Sequence, residues 1–189
     1  FPVNSVKAMR GCLLLEPEGW GVKARFSYYV GLGVDIKQAF DELLEAVEAE
    51  SPDAVLTDIR MPPTGTDEGI RAAKRIRADH GLEAMAHFTC VGATVEDLHD
   101  ALRQMRDAGI ENVLALRGDP PRGETKFVKT EGGLGYASEL TELVASNYDF
   151  CVVGACYPEV HQEAPDRETD LANLERKVAA GARVLITQL

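Results

Sequence analysis

The sequence predicts an α/β fold made of parallel βα repeats, and three observations carry that expectation. Short apolar runs suited to buried strands recur along the chain from residue 54 onward. Between them lie longer stretches whose apolar residues fall at three- and four-residue spacing. Several runs end abruptly in polar residues with glycine or proline, as in Arg117-Gly118-Asp119-Pro120-Pro121.

The elements follow in order. Ile36, Ala39, Phe40, Leu43, Leu44 and Val47 predict a first amphipathic helix. A strand over 54–57 follows, then a helix over 66–79 with Asp67 and Glu68 near its positive end. Residues 84–89 read as a strand. Thr94 reads as an N-cap, with Val95, Leu98, Leu102 and Met105 on the buried face and Gly109 as the stop. The next strand spans 112–116. A long glycine-containing loop over 120–135 leads to a helix carrying Leu140, Leu143 and Val144. Loops of that length in compact domains are often functional. A strand over 150–155, a helix over 169–180 stopped by Gly181, and a strand over 184–187 complete the series. Strand, helix, strand in this rhythm means parallel strands joined by right-handed crossovers. Residues 1–34 show no clear period, apart from alternation at Val22, Ala24, Phe26, Tyr28 and Val30 that permits a strand.

Composition narrows the function. A chain of 189 residues with 45% hydrophobic and 27% charged residues can bury one sizeable core. Its net charge of -11 gives it no electrostatic reason to bind nucleic acid or an anionic membrane. No apolar run is long enough to span a bilayer, and no secretory signal is visible. Cys12, Cys90, Cys151 and Cys156 lack disulfide-rich spacing, so reduced thiols and a cytoplasmic location are expected.

Chemistry in parallel α/β proteins gathers at the carboxyl ends of strands. Arg117 and Asp119 stand at such an end, around Gly118, whose lack of a side chain lets backbone approach a ligand closely. Asp170, Asn173 and Lys177 share one helical stripe, beside an apolar stripe of Leu171, Leu174 and Val178 expected to pack. His87 and Cys90 with Cys156 and His161 are chemically able to bind zinc. Strand alternation sends the first two to opposite faces, so no metal site is expected. Cys151 and Cys156 read as core residues rather than nucleophiles.

Several runs in order, Ala86-His-Phe-Thr-Cys90, the Arg-Gly-Asp-Pro-Pro run, Tyr157-Pro-Glu-Val-His161, and Lys177 through Gln188, resemble the methylenetetrahydrofolate reductase family over about 81–189. The resemblance implies a (βα)8 (TIM) barrel, here partial and lacking its last units, with an open flavodoxin-like sheet as the alternative. It implies FAD at the strand ends, NAD(P)H as hydride donor and 5,10-methylenetetrahydrofolate as the small-molecule substrate. Asp119 would tune the reduced flavin, and Gln188 would reach the pterin. His87 and Thr89 would line the cavity, Arg117 and Gly118 would touch the cofactor, and Tyr157 and His161 would pack on it. Asp170, Asn173, Arg176 and Lys177 would bind its ribityl, phosphate and adenosine portions. The family's Phe-Glu-Phe-Phe-Pro-Pro motif, which carries an acid, has no counterpart before Ala54. Thr57-Asp58-Ile59-Arg60 stands where the family has a threonine and a Tyr-Gly run. The raw edge after Leu189 invites a homo-oligomer contact to cover it.

Residues 53–63 and 66–77 also resemble the phosphoacceptor strand and following helix of a response-regulator receiver, with Asp58 as acceptor. The acidic pair a receiver uses to hold Mg²⁺ does not occur in residues 1–34. The expected organisation is thus one α/β domain: 1–34 unassigned, 35–80 receiver-like, 81–189 reductase-like. A reductase-like flavoprotein, a receiver module and an inactive hybrid scaffold stand as the three functional readings.

Overall fold

The computed structural model describes residues 54–58, 66–120 and 127–187. The helix expected over 36–47, residues 1–34, Gln188 and Leu189 lie outside them. Within them the chain alternates without interruption: β1 (Ala54–Asp58), α1 (Thr66–His80), β2 (Glu83–Thr89), α2 (Val95–Asp107), β3 (Asn112–Leu116), α3 (Ala137–Asn147), β4 (Cys151–Cys156), α4 (Arg167–Ala179) and β5 (Val184–Thr187).

The strands form one parallel sheet in the order β1-β2-β3-β4-β5. The pairing register includes His87 opposite Leu114, Leu114 opposite Val153, and Val153 opposite Val184. A flavodoxin-like sheet would reverse its strand order partway, sending helices to both faces. No reversal occurs among the described strands, so the open flavodoxin-like alternative is corrected. Right-handed crossovers between successive neighbours place the helices on one face, as in an arc of a (βα)8 barrel.

The core confirms the one-sided layering. Ala84, Ala86, Phe88, Val113, Ala115 and Val152 alternate on the helix side of the sheet. They bury against Ile70, Ala73 and Ile76 of α1, Leu98, Leu102 and Met105 of α2, and Leu140 and Val144 of α3. The opposite face carries a smaller apolar cluster of Met85, Leu114 and Val153, with Leu116, Val184 and Ile186 beside it.

Local signals explain the helix ends. Thr94 caps α2: its hydroxyl accepts from Asp97 N–H at 3.2 Å, and the Asp97 carboxylate accepts from Thr94 N–H at 2.9 Å. The helix stops where Gly109 takes φ of +78°, with Gly109 N–H donating to Arg106 O and Ile110 N–H to Met105 O. This is the paired closure that favours glycine after a helix. Ala101 joins the buried stripe of α2, and Val95 is only half-buried. Helix α4 begins two residues earlier than expected, because Asp166 caps it by accepting from Thr169 N–H at 2.7 Å.

The amino end of the sheet is closed by charge. Arg77, in the last turn of α1, donates to Gly109 O and lies 3.3 Å from Glu111 and 3.6 Å from Glu83. Glu83 also accepts from Asn112 Nδ2 at 3.3 Å. The carboxyl end carries a different set of groups.

Candidate functional site at the carboxyl end of the sheet

Three segments meet at the carboxyl end: the turn after β3, the loop after β4, and the sheet-facing side of α4. Arg117 follows β3 directly. Its guanidinium makes a two-pronged ion pair with Glu163 in the loop after β4, at 2.6 and 2.8 Å. The Arg117 guanidinium also lies over the Phe127 ring, 4.9 Å from its centroid. The hydrogen bond with Glu163 raises the Arg117 pKa and lowers that of Glu163.

The loop after β4 is held from its other side too. Glu163 N–H donates to His161 Nδ1 at 3.1 Å, and His161 N–H donates to Asp170 Oδ2 at 3.2 Å. The Tyr157 ring meets the His161 ring edge-on at 5.0 Å. Arg117, Tyr157, His161 and Asp170, all expected site residues, therefore belong to one connected cluster.

Lys177 reaches this end by an unusual route. Its stem lies flat on β4 at Gly154, where an added Cβ would sit 2.8 Å from Lys177 Cδ. Its ammonium donates to Ala155 O. A glycine inside a strand often marks such a close approach. Burial lowers the Lys177 pKa below its ordinary value, with Cys156 and Asp170 opposing the shift. On the same helix Arg176 donates to Asn173.

Helix α4 reverses one expectation. Leu171 and Val178, expected to pack, are 50% and 47% exposed, and α4 has no fully buried residue. Leu174, expected to pack with them, is partly covered, as are Asp170, Asn173 and Lys177, expected as the ligand-side edge. The covered stripe is thus mixed, Leu174 beside Asp170, Asn173 and Lys177, and Lys177 occupies the space over Gly154 that an apolar side chain would otherwise fill.

The remaining expected residues spread along the same end. Thr89 and His87 share the face of β2 that carries Met85, away from the helices, and both are half-buried. Cys90 lies in the helix-side core, and its thiol donates to Arg117 O. Among the described residues no group of three or more His, Cys, Asp or Glu is arranged to hold a metal. Asp119 is exposed. Gly118 has φ of +88°, and an added Cβ would lie 2.5 Å from Val91 Cγ1 and 3.1 Å from Thr89 Cβ. Its close neighbours are thus the end of β2 and Val91, which give a packing reason for the glycine. Cys151 is buried, and burial raises its thiol pKa. Cys156 is half-buried at the end of β4.

Two residues that hold the cluster went unnoticed in the sequence, Glu163 and Gly154. An isolated glycine within Cys151-Val-Val-Gly-Ala-Cys156 was a usable signal. Glu163, a loop carboxylate, carried none.

Comparison with known proteins places this geometry. The family model described as methylenetetrahydrofolate reductase matches residues 8–189. The chain is 44% identical over 175 residues to the 5,10-methylenetetrahydrofolate reductase of Escherichia coli, covering 93% of this chain and 57% of that protein. It is 36% identical over 190 residues to methylenetetrahydrofolate reductase (NADH) 1 of Zea mays, covering 93% of this chain and 32% of that one. With the Salmonella typhimurium enzyme it shares 33% identity over 188 residues, 100% of this chain and 61% of that protein. The chain thus spans about a third of the maize relative and less than two thirds of the bacterial ones. The match runs through 35–80, so the likeness does not begin at Gly81, and nothing in the comparisons supports a receiver segment. No helix among the described residues is long and apolar enough to cross a membrane. From residue 8 to its last residue, this chain belongs to the methylenetetrahydrofolate reductase family.

Proposed function

We propose that the chain is the flavin-holding part of a methylenetetrahydrofolate reductase, in which a hydride passes from NAD(P)H through FAD to 5,10-methylenetetrahydrofolate. The observation that carries this reading is the partly covered set Asp170, Asn173 and Lys177 on α4, linked through Asp170 to His161 and Tyr157, within a family match over 8–189. The residues suit such a group chemically. A dinucleotide flavin needs an apolar or aromatic wall for its rings, hydroxyl partners for its ribityl chain, and cations for its phosphates. Tyr157 and His161 offer the wall, Asp170 and Asn173 the hydroxyl partners, and Arg176 and Lys177 the cations.

When bound, the flavin supplies the two-electron chemistry that no side chain can perform. The chain's own residues position and tune. Lys177, partly desolvated, holds a positive charge whose interaction with a phosphate is stronger than it would be in water. Arg117 and Gly118 border the ring site. Asp119 disfavours extra negative charge on whatever ring lies beside it, and His87 and Thr89 line the inner wall. Gln188 is the proposed pterin contact. A (βα)8-type barrel arrangement of the sheet, a folate substrate, a cytoplasmic setting and a homo-oligomer complete the reading.

The visible spectrum of the purified chain tests it. Flavin absorbance that co-purifies, or quenching of added FAD fluorescence with saturable affinity, is the expected result. A colourless chain that leaves FAD fluorescence unchanged overturns the reading.

A further inference from the structure

We propose that Glu163 is a positioning residue of this site: by gripping Arg117 it fastens the loop after β4 across the end of β3 and fixes the Tyr157–His161 pair in place. The ligand-binding consequence rests on the flavin reading above, whereas the fastening itself does not.

The geometry carries the inference. Both carboxylate oxygens of Glu163 accept from Arg117, one from each terminal nitrogen, at 2.6 and 2.8 Å. A two-pronged pair fixes direction as well as distance, which a single contact does not. Arg117 is well anchored: its guanidinium lies over Phe127, and its carbonyl accepts from Val91 N–H at 2.9 Å and from the Cys90 thiol. Glu163 is the more exposed partner, its side chain 58% accessible against 21% for Arg117. What it gains from Arg117 passes directly to His161, because the Glu163 N–H donates to the His161 ring. His161 in turn is tied to α4 through Asp170. The loop thus has two anchors, Arg117 on one side and Asp170 on the other, and the Tyr157–His161 ring pair lies between them.

The pairing also constrains what Arg117 can offer. The pair takes one N–H from each terminal nitrogen of Arg117, two of its five donors, and fixes the direction of the rest. Because the grip reaches a ligand through the His161–Tyr157 ring pair, it predicts equal consequences for flavins with and without phosphate.

Amide hydrogen exchange on the ligand-free full chain tests the fastening. The reporters are the N–H groups of His161, Glu163 and Ala164, each of which donates within or from the loop. In Glu163→Gln and in Arg117→Gln, exchange at these amides is expected to rise about fivefold, a size suited to a partly exposed charged pair. The double variant should rise no further than either single one. Unchanged exchange in Glu163→Gln, or additive effects in the double variant, overturns the proposal. Fluorescence titration then compares FAD with riboflavin, which lacks phosphate. Glu163→Gln should weaken both by a similar factor, about tenfold if the ring pair is misplaced. Tighter FAD with riboflavin unchanged would make Glu163 a competitor for Arg117 and overturn the positioning role, as would unchanged affinity for both. If the wild-type chain binds neither flavin, the functional reading fails, and the exchange result still decides the fastening.

Discussion

Helices α2 and α4 each span thirteen residues and each packs beside the same sheet, yet they are built in opposite ways. α2 buries Leu98, Ala101, Leu102 and Met105 and turns its charges to solvent. α4 buries no residue fully, turns Leu171 and Val178 outward, and partly covers Asp170, Asn173 and Lys177 together with Leu174. The difference shows where stability and where function reside. A helix that supplies core cannot also present a polar stripe to a ligand from the same face. α4 surrenders apolar burial so that a lysine can cross Gly154 to the strand ends.

The contrast is most open to attack at the core of α2. Leu102→Ala should lower unfolding free energy by about 2–5 kcal/mol, because a fully buried leucine leaves a cavity. Leu171→Ala should change it by no more than about 0.5 kcal/mol. Denaturant titration of both variants decides this. Equal losses would mean that α4 contributes core after all.

Lys177→Met sharpens the comparison from the other side. The thioether stem still fits over Gly154, while the buried charge is gone. Flavin affinity should fall by about ten- to hundredfold, the scale of a lost charge-assisted hydrogen bond. Melting of the ligand-free chain should not drop, and an upward shift is expected. Reduced stability with unchanged flavin affinity would make Lys177 a structural residue.

A pH series isolates the same group. Burial places the folded-state pKa of Lys177 below its ordinary 10.5, so between those two values the unfolded chain holds more protons than the folded one. The wild-type protein should therefore gain stability relative to Lys177→Met as pH rises through that interval. A difference that stays flat would remove burial as the cause. A smaller loss than that of Leu102→Ala is expected at the cap of α2, where Thr94→Ala should cost about 1 kcal/mol in denaturant titration.

Much of the fold was legible. β3 and β5 were expected with the ends they have, and the caps at Thr94 and Gly109 were placed correctly, because each depends on residues within one turn of it. The candidate site was legible in part. Arg117, Tyr157, His161, Asp170 and Lys177 could be named from motifs, and the structure gathers them at one end. The packing of α4 was legible only in part, since Leu174 is partly covered while Leu171 and Val178 are exposed. Its apolar stripe suggested packing, and only the neighbouring strand could show that Gly154 leaves a channel for Lys177 instead.

Alternating periodicity within short windows was enough to establish the succession of strands and helices, since turns, caps and buried faces are set by neighbouring residues. Their parallel, unreversed order, the packing of Gly118 on Val91, and the grip of Glu163 on Arg117 join residues 27 to 46 positions apart. Contacts of that kind leave no local trace, because any exposed carboxylate in a loop reads alike until the folded chain brings an arginine to it.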